Sequence, residues 1–284
     1  MNLNHKSNIH FFLHFGVGRS GTTFLQERMF KNLKGFKVVI NKDDEIRLLL
    51  TKVIDDNFKN NSDINKLEKL FKDSVFNKII ISDETLCYKL FKIKDFKELN
   101  KLFYRCSILI TIRSQIKALE SIYIETLNHR QNYLSFDDYL EKILNNNFEF
   151  SFDKLFFEVL NYEKLYNLFK LISPNIYFLP LEYLYFNKSM YKNILNEFLN
   201  SKIFYRNINF DNKINNRKSQ KWLIYEKIRS KLPLKRNIIS KYFNKKIRNK
   251  INVFFWNGKS AKISLSDEKK IRIMNFFEAN NRKI

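Results

Sequence analysis

The stretch HFFLHFGVGRSGTTFLQERMF, residues 10–30, runs from apolar, strand-like residues through a glycine-containing turn into a helix-forming segment. Gly16 and Gly18 permit tight turns and let backbone N–H groups come close to phosphate oxygens. A helix opening near Thr22 aims its unpaired N–H groups and the positive end of its dipole at the same anion. Ser20, Thr22 and Thr23 add hydroxyl donors, and Arg19 adds a guanidinium that can grip a charged group through two parallel bonds. The spacing is that of a phosphate-cradling loop, yet position 22, where a nucleotide-hydrolysing loop carries its lysine, holds Thr22. A plain turn with Thr22 as a helix cap is the competing account, and it leaves the strand–glycine–helix order unexplained.

Four further apolar runs have the length and β-branched or aromatic content of buried strands: 36–40, 78–82, 107–113 and 175–181, beside 9–15. Between them, helical periodicity covers 22–32, 43–58, 63–76, 94–103, 114–128, 136–144 and 153–171. Strands alternating with helices predict an α/β fold, a P-loop-type parallel sheet of about five strands flanked by helices. Ligands of such sheets sit beyond the carboxyl ends of the strands. After about residue 200 no strand is evident, and 217–230 and 267–279 read as helices. The expectation is one domain over 1–284, with a nucleotide-binding core at 1–200 and a basic, mostly helical part at 201–284.

The chain carries 29 Phe and 14 Tyr in 284 residues, enough apolar material for a sizeable core and against disorder as a whole. Five Gly and three Pro are too few for an all-β chain of tight turns. The net charge of +23 is concentrated: Lys213 to Lys262 holds 12 Lys and 4 Arg against one acid, Glu226, a net of +15. Such a segment is either a solvated lysine surface or a cationic face for a polyanionic acceptor or an anionic membrane. Cys87 and Cys106 stand alone, with no metal-ligand spacing, and fit buried thiols in a reducing compartment. The polar start MNLNHKSN and the lack of any run near ~18 apolar residues point to a cytoplasmic enzyme.

Two more features sit at strand ends. Arg113 closes the fourth strand, and Ser121 follows eight residues later, about two helical turns on, a placement suited to clamping a second phosphate. In KIIISDETL, Asp83 and Glu84 end the third strand. They read either as a Mg²⁺-binding acid with a catalytic neighbour, or with Glu84 as a general base, or with Asp83 as the cap of the next helix and Glu84 in its first turn. Of the four histidines, His10 and His14 alternate in the first strand and face one way into packing, while His129 follows the helix after Arg113.

FGVGRSGTTFLQ resembles the 5′-phosphosulfate loop of sulfotransferases that use 3′-phosphoadenosine 5′-phosphosulfate (PAPS), of the bacterial or carbohydrate-acting type. Arg113 with Ser121 resembles that family's 3′-phosphate clamp. RQNYLSFDDYL and IYFLPLEYLYFNKSMYKNILNEFL are similar to later parts of the family. The resemblance covers about the first two-thirds of the chain. It implies that Arg19 contacts the phosphosulfate, that Gly18, Ser20, Gly21, Thr22 and Thr23 hold the 5′-phosphate, and that Phe24 lies near the adenine. It further implies that Arg113 and Ser121 hold the 3′-phosphate, with Arg217 or Lys218 adding a contact. Gly18 stands where the family has Pro, and RSQ replaces a more common Arg-Asp/Asn-Pro; neither change removes a charge. Some branches use His after the third strand and others Glu, so Glu84 is the implied base. The implied reaction moves a sulfo group from PAPS to a hydroxyl or amine of a glycan or lipid-linked acceptor, without a metal. A P-loop kinase or NTPase and a basic nucleic-acid- or membrane-binding protein are the alternatives; the last leaves the N-terminal motifs unexplained, and no nucleic acid is expected as a partner.

Overall fold

The computed structural model describes residues 8–17, 20–40, 42–93, 96–128, 134–145, 151–202, 219, 221–224, 263 and 265–281. The expected strands form: β1 (His10–Gly16), β2 (Lys37–Val39), β3 (Lys78–Ser82), β4 (Cys106–Ile112) and β5 (Ile176–Pro180). They make one all-parallel sheet in the order β2-β3-β1-β4-β5. From β1 the chain crosses to the β2 side, and from β4 it crosses to the β5 side. The topological switch point therefore lies between β1 and β4, with Gly16 opposite Thr111.

The apolar continuity of the strands follows from burial on both faces. On one face Phe11, Leu13, Phe15, Ile79, Ile81, Ile108 and Ile110 pack with α2 (Glu45–Asp55), α3 (Asn61–Lys72), α4 (Glu84–Leu90), α5 (Lys97–Leu102) and α6 (Gln115–Asn128). The same core takes in α7 (Phe136–Leu144), α8 (Ser151–Val159) and α9 (Tyr162–Lys170). On the other face Phe12, Ile80, Leu109 and Leu179 meet the helical run 22–32, here α1, together with α10 (Tyr183–Phe186) and α11 (Lys188–Phe198). The last helix, α12 (Asp267–Asn281), contributes Ile273 and Phe277 to the first core, as do Trp222, Leu223 and Leu265. Of the helix expected at 217–230, residues 221–224 are helical; apart from Ser219, the rest of it lies outside the described residues. So does most of the basic 213–262 segment.

Two helices differ from their sequence pattern. The expected helix 153–171 is two, because Asn161 leaves helical geometry and caps α9, its side chain accepting from Lys164 N at 2.9 Å. Asn favours such caps because its short amide competes with the helical backbone bond. The run α1 opens as an α turn (Thr22–Phe24), widens into a π turn (Leu25–Met29) and tightens to 3₁₀ (Phe30–Asn32). The wider turn keeps Leu25, Met29 and Phe30 all buried, a local departure often found at functional sites.

Beneath α1 lies a buried polar knot. His14 Nδ1 is 2.6 Å from Ser82 Oγ, and Gln26 Nε2 donates to the same hydroxyl at 3.0 Å. The other ring nitrogen of His14 is Nε2. That atom is buried without a hydrogen-bond partner among the described residues. Burial pushes the His14 pKa down to about 3. The unfolded chain binds this proton near pH 6.5, so between those values unfolding takes up a proton and stability falls as pH falls. Urea unfolding at pH 7 and pH 4.5 should show the loss, with this residue supplying about 2–3 kcal/mol of the difference. In His14→Gln that part of the pH dependence should disappear.

Candidate functional site

The loop after β1 folds back over the strand end, and two glycines make that possible. A Cβ at Gly16 would lie 1.9 Å from Thr22 Cγ2 and 2.8 Å from Thr111 Oγ1. Gly21 has φ of 88°, in the left-handed region, and a Cβ there would lie 2.6 Å from Leu181 Cδ1. The loop is pinned to β4: Val17 N donates to Thr111 O at 3.1 Å, and Ser20 N donates to Val17 O at 3.1 Å. Ser20 Oγ lies 2.8 Å from Thr111 Oγ1, which in turn donates to Phe15 O at 3.4 Å. α1 then begins at Thr22, and the amides of Thr22 and Thr23 are first-turn N–H groups that no carbonyl of the helix can reach.

The hydroxyls divide by position. Ser20 is buried and turned to Thr111, so its side chain anchors the loop instead of facing a ligand. Thr22, also buried, donates to Glu84 Oε1. Thr23 is half-buried and, among the described residues, its hydroxyl makes no hydrogen bond, which leaves it as the loop hydroxyl available to an anion. Phe24, expected beside adenine, is buried in one core with Leu25, Met29 and Phe30. Gly18, Arg19 and Arg217, together with Lys218 and His129, lie outside the described residues.

Glu84 reaches the loop because of Asp83. The Asp83 side chain caps α4, with Oδ1 accepting from Thr85 N at 2.8 Å and from Thr85 Oγ1 at 2.8 Å. Its Oδ2 accepts from Arg47 Nε at 2.5 Å, in a pair whose side chains are 1% and 13% exposed. Both oxygens are thereby committed to protein donors, and the magnesium-binding reading of Asp83 gives way to helix capping and ion pairing. Glu84, as first residue of α4, is half-buried and faces Thr22 across the end of the sheet.

At the end of β4, Arg113 Nη1 donates to Ser121 Oγ at 3.3 Å, joining the two residues that their eight-residue spacing had paired. Since Ser121 accepts in that bond, its own proton remains to be donated. Ser114 caps α6, its hydroxyl accepting from Lys117 N at 3.4 Å, so the serine of RSQ serves the turn. Two residues that the sequence did not single out meet this turn. The Tyr162 hydroxyl donates to Arg113 O, and Glu182 Oε1 accepts from Ser114 N at 3.1 Å. The signal available for Glu182 was an acid just past β5, on the same edge of the sheet; Tyr162 reads in sequence like any core aromatic.

Comparison with protein-family models finds no match, and comparison with curated proteins finds none. A crystal structure of a sulfotransferase from Alicyclobacillus acidocaldarius is similar over 95% of this chain and 95% of that one, at 11% identity and a TM-score of 0.46. A likeness at that level carries no argument about chemistry, which rests on the residues described above.

Gly21→Ala places a side chain in left-handed backbone and against Leu181. A thermal melt should show destabilisation of about 1–3 kcal/mol.

Proposed function

We propose that this chain is a sulfotransferase that takes a sulfo group from PAPS to a hydroxyl or amine. The observation that carries the reading is a pair of anion-binding features flanking one switch point. The Gly16–Thr23 loop lies at the end of β1 and the Arg113–Ser121 clamp at the end of β4, whose strands are neighbours. A nucleotide bearing phosphates on both its 5′ and 3′ sides fits two such sites, whereas ATP would leave the second without a ligand. The glycine cradle and the donor set of Thr23, Arg113 and Ser121 are compatible with that group, and Arg19 and Arg217 belong to the same reading. The nucleotide-hydrolase alternative is disfavoured by Thr22 in place of lysine and by Asp83, whose carboxylate is taken by Arg47 and Thr85.

When bound, the donor supplies the sulfuryl group and leaves as adenosine 3′,5′-bisphosphate with the electron pair of the broken S–O bond. The residues of the chain do the rest. Glu84 accepts the proton that the acceptor loses as its oxygen or nitrogen bonds to sulfur. The first-turn amides of α1, with Arg19, stabilise charge gathering on the departing phosphate. Thr22 holds the Glu84 carboxylate at the loop edge, where that proton is released.

The acceptor we propose is a glycan or a lipid-linked glycan, with peripheral contact to an anionic membrane surface. Support comes from the net charge of +23 and from Tyr185 and Phe186, which are 51% and 86% exposed just beyond Leu181 and Glu182. Among the described residues no helix is long and apolar enough to cross a membrane. Cys87 and Cys106 are buried free thiols, pushed up to about 12 and about 11 by burial, which suits a cytoplasmic enzyme. No nucleic-acid partner is proposed.

Calorimetric titration with adenosine 3′,5′-bisphosphate should show binding without metal. Arg113→Ala should weaken it by at least about 10-fold, as for loss of a charge-assisted bond. Preference for ATP with Mg²⁺ over the bisphosphate would sink the reading. Glu84→Gln should keep bisphosphate affinity within about twofold while sulfo transfer falls by about 10²-fold or more; full turnover in that variant would move the base elsewhere.

A further inference from the structure

Arg113 is the first residue past β4, where the sheet ladder ends. The ladder's last carbonyl there, Ile112 O, is taken by Leu181 N at 2.9 Å. Beyond it the N–H and C=O of the half-buried Arg113 and the N–H of the exposed Ser114 have no strand to pair with. Side chains from two other elements supply the partners. The hydroxyl of Tyr162, first residue of α9, donates to Arg113 O and accepts from Arg113 N at 3.3 Å. Glu182, two residues beyond β5, accepts from Ser114 N at 3.1 Å through Oε1. Three consecutive backbone groups at the β4–α6 turn are thus fixed by α9 and by the end of β5.

The chemistry suits a permanent clamp. Burial, with the nearby Glu182 carboxylate adding to it, raises the Tyr162 pKa above its ordinary value, so the phenol stays protonated and keeps donating. The Glu182 carboxylate, at the N-terminus of α6, is favoured by the helix dipole as well as by its bond. An arginine side chain has four rotatable bonds, and where its guanidinium lands depends on the orientation of the peptide it leaves from. Holding both sides of the Arg113 peptide is what lets its Nη1 meet Ser121 on the next helix.

We infer that Tyr162 and Glu182 are positioning residues of the anion site at the end of β4: they fix the Arg113–Ser114 backbone so that Arg113 and Ser121 converge on the 3′-phosphate of the nucleotide. The inference rests on the donor reading proposed above. It makes the affinity gained from the 3′-phosphate, and not that of the 5′ side, depend on a phenol and a carboxylate that bond the Arg113–Ser114 backbone.

The test is calorimetric titration of the full chain with adenosine 3′,5′-bisphosphate and with adenosine 5′-monophosphate, each variant being checked by thermal melting. Tyr162→Phe keeps the ring and loses only the hydroxyl; it should weaken the bisphosphate about 5- to 10-fold, the size of one or two hydrogen bonds, and leave the monophosphate within about twofold. Glu182→Leu should behave likewise. Glu182→Gln, whose amide oxygen can still accept from Ser114 N, should restore most of the loss. Equal weakening of both ligands would mark a merely structural role and overturn the inference, as would unchanged bisphosphate affinity in Tyr162→Phe. A wild-type chain that binds the two ligands equally would instead remove the donor reading itself.

Discussion

Between the ends of β1 and β4 there is no room for a side chain at position 16. The loop that leaves β1 turns back so tightly that Thr22 and Thr111 both come within contact of where a Cβ at Gly16 would stand. Everything at the site inherits that close approach. It lets Ser20 reach Thr111 and locks the loop to the neighbouring strand. α1 begins just beyond it at Thr22, whose first-turn amides have no helical partner. The close approach also brings Thr22 against Glu84, which belongs to a different strand–helix unit. A larger residue at position 16 would meet the side chains of Thr22 and Thr111, which would have to shift.

Around this constraint, several polar groups build the site. Asp83, Ser20, Thr111, Tyr162 and Glu182 are occupied with capping, anchoring and holding backbone. Apart from the exposed Ser114–Glu182 bond, these bonds are buried or half-buried, where an unmet polar group costs most. The proposed reading assigns the anions to Thr23, Arg113 and Ser121, the last two joined by their own hydrogen bond, and the acceptor's proton to Glu84.

Much of this was legible in the chain. The five strands read as apolar runs because both faces of the sheet are covered, and their order of alternation with helices required a parallel sheet. The pairing of Arg113 with Ser121 was visible because both lie within one strand–helix unit, where helical pitch sets distance. Asp83 was ambiguous: acid after a strand is compatible with metal binding, base chemistry or capping, and Arg47, which decides it, is 36 residues earlier on α2. Asn161 hid a helix break inside a pattern whose apolar periodicity continues on either side, since periodicity reports burial and not the backbone bond that a cap replaces.

The sequence by itself determined the local geometry: which segments extend, which coil, where glycine admits a turn that other residues cannot, and which side chains two helical turns apart share a face. Those properties depend on dihedral preferences and on spacings of a few residues. The tertiary structure alone decided how the hydroxyls and carboxylates are employed. Thr22 and Glu84 are 62 residues apart, and Tyr162 meets Arg113 across 49. A hydrogen-bond partner is chosen by where the sheet order and the packing of α9 against β5 bring atoms within about 3 Å. No spacing along the chain encodes that distance.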